Sequence, residues 1–171
     1  MPLYEINGKR PRIGEGTWIA PSAEIIGDVT IGRNCYIGFS ATIRGDFGAI
    51  EIGDHSLIEE GVVIHCLDKV SIGNRVIVGH QAMLHETTIR DNSLIGMQAM
   101  LCDYSEVSEW SIVAEKSLVL KKQIIPSGKI YGGSPAAEIG DVTTRHRERF
   151  NSGIDIYFEL TQQYLTSFKV L

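Results

Sequence analysis

The sequence predicts an all-β solenoid: a parallel β-helix of hexapeptide repeats followed by a C-terminal α-helical tail. Three observations carry this. An aliphatic residue returns every six positions, Gly commonly follows it (Ile13–Gly14, Ile31–Gly32, Ile37–Gly38, Ile52–Gly53, Ile72–Gly73, Ile95–Gly96), and a small or β-branched residue sits four places on, as at Thr17, Ala23, Val29, Cys35 and Ala41. A helix repeats at 3.6 residues and a half-buried strand at 2, so neither explains a period of six. A solenoid whose coils each hold three short strands does, with the aliphatic residues pointing into a common core.

The first run is Ile13, Ile19, Ile25, Ile31, Ile37 and Ile43, and the second is Ile52, Ile58 and Ile64. Ile72, Val78 and Leu84 follow, and then Ile89, Ile95, Leu101, Val107, Val113 and Val119. The step of nine between Ile43 and Ile52 leaves room for a loop in RGDFGAIE, and the step of eight between Ile64 and Ile72 leaves room in HCLDKVS. Loops on a regular solenoid are the usual place for function. After Ile125 the pattern fades. Ser134 and Pro135 read as a helix start, so the solenoid is expected over 1–135 and the tail over 136–171. The tail reads as two helices, 136–150 and 154–168, parted by Asn151, Ser152 and Gly153. Its stripe of Ile154, Tyr157, Phe158, Leu160, Tyr164, Leu165 and Phe168 is expected to cover one solenoid face.

The 171 residues suit one domain that buries its own core. With 16 Lys+Arg against 21 Asp+Glu and no strongly basic stretch, the chain is not built for nucleic acid or an anionic membrane. The first twenty residues, broken by charge and Gly, read as neither a signal peptide nor a membrane span. Cys35, Cys66 and Cys102 are odd in number and lack CxxC spacing, which argues for a reducing, cytoplasmic setting. Cys35 falls at an inward position and reads as core, and Cys66 as an inert loop residue.

The register sorts the five histidines. Ile43, Ile64, Leu84, Leu101 and Val119 lie one coil apart, so the residues after them, Arg44, His65, His85, Cys102 and Leu120, form a column. His80 follows Val78 on another side, with Glu60 below and Met97 above. His55 and His146 have no such register and read as surface residues. Prisms joined as a cyclic trimer can bring the column of one subunit to the His80 corner of the next. Three neutral imidazoles with a fourth position left to water make a catalytic zinc arrangement, whereas a structural site uses four protein ligands.

The run IRGDFG at 43–48, the lone His65, VGHxxxLH at 78–85 and IGM at 95–97 together resemble the gamma-class carbonic anhydrases. They are similar also to the related ferripyochelin-binding and phenylacetate or carnitine operon hexapeptide proteins. The likeness spans about residues 10 to 137. It implies a left-handed β-helix and a homotrimer, with His65 and His85 from one subunit and His80 from the next holding Zn²⁺, though Fe²⁺ or Co²⁺ suit the same imidazoles. The implied reaction is hydration of CO2 to bicarbonate through a metal-bound hydroxide. Arg44 and Asp46 fall on a family pair that orders the interface and pocket, expected to meet across subunits, and Tyr157 falls on a tail tyrosine near that pocket.

Departures bear on that activity. Where the family commonly reads NxQDG, this chain reads LIEEG at 57–61, so Leu57 stands for Asn, Glu59 for Gln and Glu60 for Asp. Gln can donate a hydrogen bond to a metal-bound hydroxide, whereas ionised Glu only accepts. Glu86 and Thr87 stand where GlyCys is common, and the long acidic loop of the founding type is absent. A metal-dependent acyl-CoA thioesterase, a hexapeptide acyltransferase and a non-catalytic metal-binding or assembly protein therefore remain competing functions. An acyltransferase of this fold needs only one His as base.

Overall fold

The computed structural model describes residues 3–170 and shows a parallel β-solenoid with one C-terminal helix. Each coil carries three short strands that pair with the coils above and below. Three core columns result. The first runs Ile25–Ile43–Ile64–Leu84–Leu101–Val119, the second Ile19–Ile37–Ile58–Val78–Ile95–Val113, and the third Ile13–Ile31–Ile52–Ile72–Ile89–Val107–Ile125. Apart from half-buried Ile13, every one of these side chains is buried. The six-residue period is therefore the imprint of inward Cβ atoms, one per strand per coil.

The residue before each core position faces out, and the three faces differ in kind. One presents Trp18, Tyr36, Leu57, Ile77, Leu94 and Ile112 and lies under the helix. A second presents Thr30, Glu51, Ser71, Thr88 and Glu106 and is polar. The third presents Thr42, Val63, Met83, Met100 and Leu118, a largely apolar strip with no element of the described residues packed on it, and it carries His65 and His85. Corners turn through left-handed residues such as Asn34, Arg75 and Asn92, a conformation in which Asn is several-fold enriched.

Both expected loops exist. The pairing of Glu24–Ile31 with Thr42–Ile52 jumps from Gly27↔Gly45 to Val29↔Ile50, so residues 46–49 are pushed outward, and Phe47 is 61% exposed. This loop lies against the 66–68 loop one coil up. A Cβ on Gly48 would sit 2.1 Å from the Asp68 carbonyl oxygen, so only glycine allows that approach.

The tail departs from the sequence reading. Residues around Ser134 and Pro135 do not start a helix. Instead Ala137–Asp141 turns back antiparallel along Lys129–Gly132, and a single helix, Thr144–Ser167, begins at the Thr143 cap. It runs through Asn151, Ser152 and Gly153, where the packed face meets the solenoid. Asn151 Oδ1 accepts from Arg75 Nη2 at 2.8 Å, and Gly153 faces Ile77 with space for a Cβ in ordinary contact. Tertiary contact overrides the weak helix propensity of that triplet. The buried stripe is also narrower than expected, with Phe150, Ile154 and Thr161 buried and Tyr157, Leu160 and Tyr164 packed beside them, while Phe158 and Leu165 stay exposed.

Candidate metal centre

Parallel pairing stacks Arg44, His65 and His85 in the same register on three successive coils. The His65 and His85 rings lie 5.4 Å apart, tilted by 47°. His85 Nδ1 meets Asp103 Oδ1 at 2.7 Å, and that bond holds the Asp103 carboxyl below its ordinary range. A carboxylate accepts only, so Nδ1 carries the proton and Nε2 presents its lone pair. His65 Nε2 is buried and has no hydrogen-bond partner. Asp46 Oδ1 lies 3.3 Å from it, near enough for attraction but not aligned as a hydrogen bond. An orphaned imidazole nitrogen costs free energy, and a cation is the partner its lone pair lacks.

Arg44 Nη1 pairs with Asp46 Oδ2 at 3.2 Å within the same chain. The sequence reading expected that pair to bridge subunits; geometry two residues apart on one bulged strand brings it together locally.

His80 stands on a different face, at the end of the strand Ile77–Val78. Its Nδ1 lies 2.7 Å from Glu60 Oε2 and its Nε2 3.1 Å from Glu59 Oε2, and its backbone N–H donates to the same Glu59 oxygen at 3.1 Å. Burial pushes the Glu59 carboxyl up while His80 pulls it down. Tyr36 donates to Glu60 Oε1 at 2.6 Å, and the Tyr157 phenol stands beside Glu59, whose charge acts on it. Both phenols are driven far up, first by burial. Both therefore keep their protons at neutral pH.

The expected column thus forms as Arg44, His65 and His85, with half-buried Cys102 next, and Glu59, Glu60 and Tyr157 gather around His80. One chain does not unite the two groups, since they stand on different faces. Burial raises the Cys102 thiol, which disfavours the thiolate a metal would need. All three cysteines are free. Leu57, in the place of a family Asn, is buried under the helix rather than turned to His80.

Three contributors were missed in the sequence. Tyr36 reads as one more outward apolar residue, Asp103 as a corner, and Glu86 as a mere departure. Glu86 Oε1 accepts from the Leu67 and Asp68 amides at 2.9 and 3.0 Å and so fastens the loop after His65. His85, Glu86 and Asp103 bring metal-capable atoms within 4.8 Å of one another. Both carboxylates are already engaged, Asp103 by His85 and Glu86 by the 67–68 amides. His146, expected as surface, is half-buried; its Nδ1 accepts from the Thr143 amide at 3.0 Å and caps the helix. His55 sits at a corner with its ring 5.8 Å from Phe158.

A groove of about 340 Å³ opens beside His80 and Glu59, floored by Ile77, Leu94, Ile95 and Ile112 and edged by Arg149 and Glu115. No helix among the described residues is long and apolar enough to cross a membrane.

Comparison with known proteins agrees with this architecture. Two family models match, "Bacterial transferase hexapeptide (six repeats)" over residues 10–45 and "Hexapeptide repeat of succinyl-transferase" over 28–66. Gamma carbonic anhydrase 1, mitochondrial, of Arabidopsis thaliana is 32% identical across 95% of this chain, which spans 62% of that protein's length. Carnitine operon protein CaiE of a Proteus species is 31% identical across 94% of this chain and 83% of its own. The crystal structure of a hexapeptide transferase family protein from Anaplasma phagocytophilum superposes with a TM-score of 0.92 at 31% identity, covering 95% of this chain and 98% of the other. With the fold and these relatives in agreement, the chain belongs to the gamma carbonic anhydrase-like hexapeptide-repeat family.

Proposed function

We propose that the chain works as a homotrimer that hydrates CO2 to bicarbonate at Zn²⁺ sites shared between copies, each made by His65 and His85 of one copy and His80 of its neighbour. The observation that carries this is the set of open ring nitrogens: His85 with Nδ1 occupied by Asp103, and His65 with a buried, unpartnered Nε2. Two imidazoles from one face leave a tetrahedral ion short of a ligand. His80, on another face of an identical chain, supplies it.

The bare strip of Val63, Met83, Met100 and Leu118 supports the assembly. Val63 and Met100 are 37% and 47% exposed beside the histidines, and burying such a strip against a neighbour is favourable. Zinc held by three neutral imidazoles acidifies a water toward neutrality and so supplies a nucleophile. Arg44, half-exposed next to His65, attracts the anionic product. Glu59 tempers the reaction, because its carboxylate stands 3.1 Å from His80 Nε2, on the side where the ion would bind. Fe²⁺ or Co²⁺ fit the same donors, and three free thiols fit a reducing compartment such as the cytoplasm.

The apolar groove favours a second reading, hydrolysis of an acyl-CoA thioester at the same centre, since CO2 fills almost none of 340 Å³. Metal content per protomer together with oligomer mass tests the assembly. A metal-free monomer ends it. Stopped-flow CO2 hydration beside an acyl-CoA hydrolysis assay separates the two reactions.

A further inference from the structure

We infer that the loop tips beside His65 of one copy close the groove beside His80 of the next, with Phe47 and Leu67 entering the groove and Asp68 settling on Arg149. This rests on the trimeric reading of the site, and it takes from the thioester reading the pocket that favours it. Each coil runs from the helix-covered face through a corner to the bare face, and through a second corner to the polar one, as in Ile77–Val78, Met83–His85 and Thr88–Ile89. His80 stands at the first corner. His65 and His85 end the bare face, and residues 46–49 and 66–68 stand out at the second corner. When three copies turn their bare faces to a common axis, the second corner of one meets the first corner of its neighbour. The loops lie on the outer side of that meeting, and so does the groove, which opens between the His80 corner and the helix residues Arg149, Phe150 and Gly153. Phe47, its ring 6.0 Å from that of His65, is carried there by any arrangement that brings His65 to His80.

The two surfaces match in kind. The groove is floored by Ile77, Leu94, Ile95 and Ile112, while Phe47 and Leu67 are 61% and 63% exposed. A lone exposed apolar residue is ordinary, but two on interlocked loops make an arranged surface. The Phe47 amide donates to Asp46 Oδ1 at 3.1 Å, and its carbonyl accepts from Lys9 Nζ at 2.8 Å. Between the loops, the Ala49 amide donates to the Asp68 carbonyl at 3.0 Å, and Glu86 holds the Leu67 and Asp68 amides. Loops fixed in this way lose little freedom on docking. Charge agrees with shape. Asp68 is exposed at one tip and Arg149 at the groove edge, and neither has an ion pair among the described residues. Glu115 on the opposite edge repels Asp68, which fixes the sense of docking. Gly153 keeps the groove open. A helix interior disfavours glycine, and a Cβ here would meet only Ile77 Cδ1, at 3.7 Å, so packing within the chain does not require the missing side chain.

The test is sedimentation velocity of the purified full chain over a dilution series, with far-UV circular dichroism to confirm the solenoid and helix in every variant. Phe47→Ser combined with Leu67→Ser, both at exposed positions, should raise the concentration at which the trimer dissociates about tenfold. Gly153→Leu fills the groove from the other partner and should do the same. Asp68→Arg and Arg149→Asp should each weaken assembly about threefold, and the two together should recover most of the loss, since the swap rebuilds the pair. A parent trimer that holds together equally well with the loop or groove variants would overturn the inference. So would losses that simply add in the double charge variant. If Gly153→Leu spared the trimer but abolished hydrolysis of octanoyl-CoA, the groove would belong to an acyl chain and the inference would fall. A monomeric parent is a different failure: it ends the trimeric reading, and the inference falls with it.

Discussion

Removing the carboxylate of Glu86 should loosen the loop beside His65 without unwinding the solenoid. Glu86 is 5% exposed, and its Oε1 alone accepts from both the Leu67 and Asp68 amides. Leu67 itself is 63% exposed, so water can reach the freed amides. Each lost bond therefore costs about 1 kcal/mol rather than the larger penalty of a buried orphan. Glu86→Ala should lower the thermal midpoint by about 4 to 8 °C, at about 2–4 °C per kcal/mol for a chain of this size. Glu86→Gln can keep both bonds through its one carbonyl oxygen, so it should lose less than half as much. Glu86→Gly should fall between, since the backbone here has φ +46°, and glycine relieves about 1 kcal/mol of that strain. The assay is thermal unfolding at fixed protein concentration, with hydrogen exchange of the Leu67 and Asp68 amides as the local reporter. If Glu86→Ala left both the midpoint and the protection of those amides unchanged, the carboxylate would not be the fastening.

Four further outcomes are expected. His65→Ala, His80→Ala and His85→Ala should each reduce bound metal, measured by elemental analysis, from about one ion per protomer to near none, because two imidazoles hold zinc poorly. Arg44→Ala removes an ion pair whose guanidinium is 45% exposed; urea unfolding should shift by less than about 1 kcal/mol, while sedimentation and CO2 hydration both show loss, and a fully active trimer would make Arg44 ordinary surface. Glu59→Gln should tighten Co²⁺ binding and raise hydration, since the neutral amide competes less for His80 Nε2 and can donate; a fall in rate would identify Glu59 as a working base. Asp54 is held below its usual 3.8 by the Arg33 backbone N–H and guanidinium. Its contribution is therefore present above that value and fades as pH falls through the lowered one, so the urea midpoint of Asp54→Asn should trail the parent at pH 7 and converge with it in acid.

What could be read from the sequence was what repeats. Counting hexads across irregular steps put Arg44, His65 and His85 in one column, and strand register places them so. Counting also put Glu60 beneath His80. What escaped was set by contacts with no period. The helix runs unbroken through residues 151–153 because Arg75 and Ile77 meet it there, and nothing local to Asn-Ser-Gly announces that. Tyr36 occupies an outward position like Leu57 and Ile77, and only the reach of its hydroxyl to Glu60 sets it apart. Asp103 lies at a corner where Asp is ordinary, and its role follows from the coil below. A pairwise distance across coils is invisible in a linear pattern unless the partner already commands attention.

The hairpin formed by Lys129–Gly132 and Ala137–Asp141 has a consequence for colloidal behaviour. A stack of parallel coils offers its last rung as a template, and a second molecule could in principle continue the stack end to end into a fibre. Here the chain blocks that growth. The reversed strand Ala137–Asp141 takes the outer edge of Lys129–Gly132, and the segment between them closes a second edge, with the Leu118 amide donating to the Gly133 carbonyl at 2.9 Å and the Ala136 amide to the Leu118 carbonyl at 2.8 Å. An incoming copy would meet a strand of the wrong polarity on one face and spent donors on the next. At this end, among the described residues, the rung Ile124–Ile125 is left uncapped on one side of three, so growth along the axis has a third of its template.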